Sequence, residues 1–180
     1  FKTVLKKVGE VYQEKREEII KQSELIKKSL ELKKNSVLNQ DFQDFELIII
    51  DDGSNNNTQQ DILNYALKHE DKITYLRHKN RSQSESINRG MHLSNSEYIT
   101  VIDADDEYKL NHLSSCLNEM DNADLIASTT NTVVNSNEDY YVPDKNDLSK
   151  PIHLDDAILF GTLFGHQKVF KSIDFKGGFA

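Results

Sequence analysis

The sequence of 180 residues is long enough for one domain with a hydrophobic core. Its 37% hydrophobic and 29% charged residues are typical of a globular protein, and this composition excludes a disordered or fibrous chain. The net charge of the chain is -8, and the residues after 39 carry twelve Lys and Arg against twenty-four Asp and Glu. Nucleic acid is therefore not an expected partner, because its phosphates would be repelled. The sequence has no stretch of 18 apolar residues and no signal-peptide pattern, which predicts no membrane-spanning segment.

Residues 1–35 are predicted to form a helical arm. In this Lys/Glu-rich segment apolar residues such as Val4 and Val8 recur at roughly helical spacing. Glu17 and Lys21 lie four residues apart, which indicates a solvated helix face rather than one that docks on a membrane. Such an arm could pack on the domain, join a neighbouring domain or dimerise.

From residue 45 the sequence alternates short apolar strands with amphipathic helices, a pattern typical of βαβ units. The first strand, "FELIII" at residues 45–50, is apolar at nearly every position and is predicted to be buried on both faces. Further strands are expected at residues 73–77, 98–102 and 123–128, with helices near 58–69, 83–93 and 110–120. The alternation predicts an α/β domain with a mostly parallel sheet flanked by helices.

Beyond residue 129 the pattern is irregular. "TTNTVVNS" at residues 129–136 is expected to form an edge strand, and residues 135–151 a surface loop. "AILFGTLFGHQKVF" at residues 157–170 is expected to form a buried strand-turn-strand.

Two of the predicted strands end in clusters of carboxylates. The first is followed by one adjacent pair and the third by "DADD", so the acids are Asp51, Asp52, Asp103, Asp105 and Asp106. Because the carboxyl ends of parallel strands lie at one edge of a sheet, where open α/β folds bind ligands, these acids should converge. Mg²⁺ or Mn²⁺ would offset their repulsion, since such ions take one or two carboxylates together with substrate phosphates. Both clusters together predict a metal and nucleotide site.

Each cluster alone has a structural alternative. Asp51 and Asp52 could cap the following helix or shape the turn at Gly53, and "DADD" could cap the helix after it. An EF-hand that begins at Asp51 is excluded, because its sixth and twelfth positions hold Asn56 and Ile62. No P-loop and no Gly-x-Gly-x-x-Gly pattern occurs.

"SVLNQDFQDFELIIIDDGSNNNT" and "HKNRSQSESINRGMHLSNSEYITVIDADD" resemble the nucleotide-sugar domain of inverting glycosyltransferases of family 2. The resemblance covers residues 36–113 and extends more weakly toward residue 170. It implies a Rossmann-like GT-A fold over residues 36–180. It also implies a UDP-sugar donor, Mg²⁺ or Mn²⁺ as cofactor, and a bacterial surface polysaccharide, glycolipid or glycoprotein glycan as product.

The resemblance implies roles for the acidic residues. Asp52 would contact the uracil, with Asp51 beside it. Asp103 and Asp105 would form the DXD motif, in which Asp105 binds the metal and Asp103 lies nearer the ribose or the metal's water shell. A metal that bridges the two phosphates stabilises the charge that develops on the leaving nucleotide diphosphate.

Other residues match the family less specifically. Asn88 corresponds to a position near the nucleotide and phosphates, although packing of a polar helix residue against the first acidic turn explains it equally well. Asp106 would be a supporting or capping acid. Lys79 and Arg81 could face the diphosphate, but solvated loop cations are the commoner case.

The sequence departs from the family at both ends. Family members begin this domain with a strand and a Pro-x-Tyr-Asn-like turn, whereas "EVYQEKREEIIKQSELIKKSLELKK" is predicted to be helical, so that strand is replaced or missing. The carboxylate base that takes the acceptor's proton follows the family's "GGF" turn, so it is expected beyond Ala180, in a longer protein. Asp155 and Asp156 are better explained as helix caps, and His166 as a structural histidine.

The sequence therefore predicts a glycosyltransferase that moves a sugar from a nucleotide-sugar donor to a glycan, lipid or protein acceptor with inversion. The alternative is a noncatalytic assembly or partner-binding module that keeps the acidic crevice and uses the helical arm to contact another domain or subunit. A receiver or phosphatase domain, suggested by "IIIDDG", ranks below both. The single Cys116 excludes an internal disulfide and fits a reducing compartment, so we expect a cytoplasmic location, including the inner face of the membrane.

Overall fold

The structure, a computed structural model, describes residues 35–54, 58–144 and 147–173. The helices whose bounds lie within these ranges are α1 (Thr58–Lys68), α2 (Gln83–Leu93), α3 (His112–Glu119) and α4 (Gln167–Ile173). The strands are β1 (Leu47–Asp51), β2 (Ile73–Arg77), β3 (Tyr98–Thr100), β4 (Leu125–Ala127), β5 (Tyr141–Pro143), β6 (Pro151–His153) and β7 (Leu163–His166). None of the described helices is long and apolar enough to cross a membrane.

The first two strands and α1 form the expected βαβ unit. β1 and β2 are parallel, with Leu47 opposite Ile73 and Asp51 opposite Arg77. A parallel pair needs a crossover connection, which α1 supplies. The predicted bounds of β2 and α2 are confirmed to the residue, and the other strands and helices expected between residues 45 and 128 lie within three residues of their predicted ends.

The second sheet corrects the prediction of a mostly parallel one. β7 lies between β3 and β4 and is antiparallel to both, so among the described strands only β1 and β2 pair in parallel. The α/β character is confirmed, but the sheets are small and mixed. Gly165 allows this arrangement, because a Cβ there would lie 2.7 Å from the Asp124 carbonyl oxygen. No periodicity in the sequence specifies which strands a late segment will join.

The predictions beyond residue 129 are largely wrong. Residues 129–136 form no strand, and Val133 is 89% exposed rather than packed in a sheet. The predicted loop contains a 3₁₀ turn at Asn137–Tyr140 and the strand β5, which pairs antiparallel with β6. The apolar segment at 157–170 forms β7 followed by α4 rather than two strands, because α4 buries Phe170 completely.

Two apolar clusters hold the layers together. One joins α3 to β7 and consists of Leu113, Cys116, Met120 and Phe164. The other joins α2 and α4 to β3 and consists of Met91, Ile99 and Phe170. Burial of such side chains contributes about 1.5–3 kcal/mol each before entropy costs are counted.

A cavity of about 830 Å³ separates the two sheets. Every residue of β1 and of β3 lines the cavity. Among the described strands β1 and β3 are each at the edge of a sheet, so each has one edge without a hydrogen-bonded neighbour. At the carboxyl ends of the strands the cavity reaches Asp52, Asp103 and Asp106. The predicted helical arm, apart from residue 35, lies outside the described residues, as does the "GGF" turn near Ala180.

Candidate functional site

Asp51 is the last residue of β1, and both oxygens of its buried carboxylate accept hydrogen bonds. Its Oδ1 accepts a hydrogen bond from the Ser54 amide at 2.8 Å, and its Oδ2 accepts one from the Tyr75 hydroxyl at 2.7 Å. The Arg77 Nε lies 3.4 Å from the same Oδ2. The Asp51 side chain has no exposed surface, so these contacts make it a support of the turn after β1 rather than an accessible ligand group.

The ionisation of this group follows from those contacts. Burial alone would raise the pKa of Asp51, but the hydrogen bonds from Ser54 and Tyr75 and the charge of Arg77 hold that pKa below its usual value. Burial, together with the bond to Asp51, raises the pKa of Tyr75 to about 12, so the phenol stays protonated and donates. Asp51 is therefore a carboxylate at neutral pH.

Replacing Asp51 by Asn should lower stability most near neutral pH. A folded-state pKa below the unfolded value of 3.8 gives stability that is complete above that value and is lost as the pH falls through the folded pKa. We expect the urea midpoint of Asp51→Asn to lie well below wild type at about pH 7 and to approach it below about pH 4.

Asp71→Asn, at an exposed turn residue, is the matched control and should leave the midpoint almost unchanged. A midpoint difference for Asp51→Asn that stays constant as the pH falls would contradict the assigned ionisation.

Asp52 points toward the loop that follows β2. Its Oδ1 accepts from the Arg81 amide at 2.8 Å, and its Oδ2 accepts from the Ser82 amide at 3.2 Å. The Nδ1 of His78 lies 3.1 Å from Oδ1. A quarter of the Asp52 side chain remains exposed, so unlike Asp51 it can also meet a ligand.

Two unusual backbone conformations bring this turn and this loop together. Gly53 has a φ of +84°, and a Cβ there would lie 2.8 Å from the Asn80 amide nitrogen, so only glycine fits. Ser82 has a φ of +124° and a ψ of 158°, a region that is essentially restricted to glycine and costs about 1–3 kcal/mol. Such strain persists where the surroundings hold the residue, and here Ser82 is bonded to Asp52 and caps α2 through the Glu85 amide.

The amino terminus of α2 connects the two acidic clusters. Ser82 donates its amide to Asp52, and the next residue, Gln83, donates its Nε2 to the Oδ1 of Asp103 at 3.1 Å. The predicted convergence of the two strand ends is therefore present in the fold, although β1 and β3 belong to different sheets. A nucleotide phosphate chain could lie between these ends, since helix amino termini favour anions.

The "DADD" turn directs its carboxylates in different directions. A Cβ placed on Gly161 would lie 3.7 Å from the Oδ2 of Asp106, 4.0 Å from the Oδ2 of Asp103 and 3.9 Å from the Val101 carbonyl oxygen. Three oxygens thus surround the small space beside Gly161. Asp105 is exposed and, unlike Asp103 and Asp106, does not line the cavity.

At this turn a divalent ion would need ligands from both the protein and the substrate. Among the described residues no group of three or more His, Cys, Asp or Glu side chains forms a complete cation site. Mg²⁺ and Mn²⁺ do not need one, because they bind through one or two carboxylates plus phosphates. Asp103, Asp105 and Asp106 are all exposed carboxylates of that kind, and Asp103 and Asp106 also line the cavity.

Tyr108 stabilises the residues that directly precede the "DADD" turn. Its hydroxyl donates to the Val101 carbonyl at 3.1 Å and lies 3.0 Å from the Thr100 Oγ1. Burial and the nearby acids Asp106 and Asp103 raise the pKa of Tyr108 to about 12, which keeps it a neutral donor. The residue therefore holds the end of β3 without adding charge to the acidic turn.

The remaining predicted residues take more structural positions. Asn88 is buried on α2, which packs against β1. Lys79 is exposed, and the Arg81 guanidinium lies 3.8 Å from Glu85. The backbone amide of Arg81, rather than its charge, contacts the acidic cluster.

Sequence reasoning missed the residues that orient Asp51 and Asp52. Tyr75 lies within β2 and His78 directly follows it. Strand alternation assigns side chains to the faces of a sheet and does not indicate that these two would lie beside Asp51 and Asp52. Ser82 and Gln83 begin α2, and the Ser-x-x-Glu spacing from Ser82 to Glu85 is a helix-start signal. The contacts of Ser82 with Asp52 and of Gln83 with Asp103 carried no local signal in the sequence.

Residues 25–176 of the chain match the family described as Glycosyl transferase family 2. An uncharacterized glycosyltransferase of Rickettsia felis is 33% identical over 95 residues, which is 51% of this chain and 15% of that protein. An uncharacterized glycosyltransferase of Nostoc is 32% identical over 92 residues, or 51% of this chain and 29% of that protein.

A third relative carries a more specific name. The GalNAc(5)-diNAcBac-PP-undecaprenol beta-1,3-glucosyltransferase of Campylobacter jejuni is 34% identical over 84 residues, which is 46% of this chain and 27% of that protein. The matched part of the chain spans between 15% and 29% of the length of these curated relatives.

Proposed function

The chain belongs to glycosyl transferase family 2, and from that premise we propose that it binds a nucleotide-sugar donor, a UDP-sugar, for transfer of the sugar to an acceptor with inversion. Residues 36–180 are proposed to form the donor-binding GT-A domain, and residues 1–35 a separate arm. The acceptor is a glycan, a lipid or a protein. The name of the Campylobacter relative, which includes an undecaprenol-linked glycan, supports a lipid-linked glycan within that range.

One observation carries the proposal. The first turn of α2 and the residue before it bond both acidic strand ends, Asp52 through the Ser82 amide and Asp103 through Gln83. A nucleoside diphosphate has a base at one end and two phosphates at the other, so it needs two separate recognition points. In this proposal Asp52 contacts the base, Asp103 contacts the ribose or the metal's water shell, and Asn88 supports the turn beneath them.

The residues of the "DADD" turn would hold Mg²⁺ or Mn²⁺. Asp105 is the proposed metal ligand, with Asp103 beside it, and both are exposed where phosphates could complete the coordination. The ion would supply stabilisation of the negative charge on the leaving diphosphate. The catalytic base is proposed to lie beyond Ala180, so we expect donor binding by this chain and little turnover.

A noncatalytic partner-binding module is the second candidate. It is favoured by the cavity between β1 and β3, where two strand edges lack a hydrogen-bonded neighbour among the described residues. Open strand edges are sites at which another chain can pair. A module of this kind would keep the acidic turns as structural caps and would not bind a nucleotide.

Calorimetric titration with UDP separates the two candidates. We expect UDP to bind the full chain in the presence of Mn²⁺ and to bind weakly or not at all when the metal is removed with a chelator, because the phosphates and the acidic turn repel each other without it. ADP in the same buffer controls for binding that depends on the diphosphate alone. A lack of UDP binding with and without Mn²⁺ would reject the donor site and favour the partner-binding module.

A further inference from the structure

We infer that Gln83 is a specificity-determining residue that, together with Asp103, binds the hydroxyl groups of the donor's ribose. The inference rests on the proposed function, because it assigns one part of the nucleotide to a side chain of the proposed donor site. Gln83 is the first residue of α2 and is exposed. Both Gln83 and Asp103 line the cavity that reaches the acidic strand ends. Gln83 is therefore open to a ligand while it is bonded to one of the carboxylates.

The bond between the two side chains determines which way the Gln83 amide faces. The Nε2 of Gln83 lies 3.1 Å from the Oδ1 of Asp103. Because a carboxylate oxygen can only accept, the amide turns its nitrogen toward Asp103. The amide oxygen, Oε1, then faces away from Asp103. Gln83 thus offers an oriented acceptor beside the carboxylate.

The two oxygens of Asp103 face different neighbours. Oδ1 accepts from Gln83 at the start of α2, whereas Oδ2 faces Gly161, where a Cβ would lie 4.0 Å away. Each oxygen of a carboxylate has about two lone-pair positions, and among the described residues Gln83 uses one of those on Oδ1. Oδ1 can therefore accept a second hydrogen bond, on the side of Asp103 that faces α2.

The place of Gln83 in the site favours the ribose over the base and the phosphates. Ser82, the residue before Gln83, donates its amide to Asp52, which is the proposed base contact. Asp103 belongs to the "DADD" turn, which is proposed to hold the metal and, through it, the phosphates. Since the ribose joins the base to the phosphates in a nucleotide, it should lie between these two contacts, beside Gln83.

The chemistry of the pair also matches a ribose. Its 2′ and 3′ hydroxyls are neighbouring groups that can each donate one hydrogen bond. Oε1 of Gln83 and Oδ1 of Asp103 are two acceptors that the bond from Nε2 holds close together. Carboxylates bind ribose hydroxyls in other nucleotide sites. A site that bonds a substrate hydroxyl rejects an analogue that lacks it, so this pair would raise the preference for a ribonucleotide.

The test compares UDP with 2′,3′-dideoxy-UDP, which keeps the base and the diphosphate and lacks both hydroxyls. Calorimetry with Mn²⁺ gives the dissociation constant of each nucleotide for the full chain and for Gln83→Met. Met keeps the length of the side chain and removes both the N–H donors and the carbonyl oxygen. We expect this substitution to weaken UDP binding roughly fivefold to tenfold and dideoxy-UDP binding less than about twofold, because the lost hydrogen bonds form only with the hydroxyls.

Gln167→Met is the matched control. Gln167 is the first residue of α4, and its Nε2 donates to the Ser94 carbonyl oxygen at 2.7 Å, directly after the other end of α2. The control therefore removes a glutamine bond at the opposite end of the same helix, and we expect neither nucleotide to change in affinity. Thermal unfolding shows whether each variant keeps its fold. Gln83→Ala, a truncation at an exposed helix position, repeats the test without the bulk of Met.

The dideoxy analogue separates ribose binding from a structural role. Equal weakening of both nucleotides in Gln83→Met would overturn the inference, because a bond that only joins α2 to the acidic turn affects both alike. Unchanged UDP binding in that variant would overturn it as well. So would a wild-type chain that binds the two nucleotides equally, even if the variants failed to fold. Absence of all UDP binding to the wild-type chain would instead reject the proposed function itself.

Discussion

Asp105→Asn should remove the metal-dependent part of UDP binding. The substitution keeps the size of the side chain but replaces a charged oxygen ligand by a neutral amide, which Mg²⁺ and Mn²⁺ bind more weakly. We expect the affinity for UDP in Mn²⁺ to fall by roughly a hundredfold or more, since even residues that only support a metal ligand contribute about 10–100-fold. Calorimetric titration with and without Mn²⁺ measures the difference directly.

Two further variants make this result specific. Asp106→Asn removes the same charge one residue away, from a side chain that faces Gly161. Glu70→Gln removes an exposed charge before β2, at the sheet end opposite the acidic turns. We expect a smaller effect from Asp106→Asn and none from Glu70→Gln. A large loss in Asp106→Asn with none in Asp105→Asn would assign the metal to the space beside Gly161 instead.

Phe170→Ala should cause the largest loss of stability. Phe170 has no exposed surface, and it packs with Met91 on α2 and Ile99 on β3. Its ring also meets Phe160 edge to face, at 6.5 Å between centroids. Truncating a buried Phe costs about 3–5 kcal/mol, and each kcal/mol lowers the melting midpoint of a domain of this size by about 2–4 °C. Thermal unfolding followed by circular dichroism measures the change.

Phe170→Leu is the matched comparison. It keeps most of the apolar volume, so we expect a smaller loss and a folded protein in which UDP binding can still be measured. Val169→Ala on the same helix removes methyl groups from a residue that is only partly buried and should cost less than Phe170→Ala. A melting midpoint for Phe170→Ala within a few degrees of wild type would show that α4 is not packed as described.

The part of the fold that local pattern determines was predictable. β2 and α2 have the predicted bounds, because each has a clear period and clear end signals such as Ser82 before α2. Residues 129–170 were mispredicted for the opposite reason. Their short apolar runs fit strand, loop or helix equally well, and tertiary contacts decided among them, as in the pairing of β5 with β6.

The same division between features set by local pattern and features set by tertiary contacts applies to the candidate site. The acids were predictable as a set, because carboxylates directly after two apolar strands have few structural explanations in common. Their different environments were not. Asp51 and Asp52 are neighbours in the sequence, yet one is buried and bonded by Tyr75, and the other is partly exposed and bonded by the loop after β2.

The sequence by itself determined the family, the alternation of strands and helices after residue 45, and the two acidic strand ends. These features depend on residue type and spacing over short stretches, which a linear pattern records. Only the tertiary structure decided that β7 pairs antiparallel with β3, that the Arg81 amide donates to Asp52, and that Asp103 and Asp106 face Gly161. Such contacts join residues far apart in the chain, and their geometry depends on how whole elements pack rather than on any local preference.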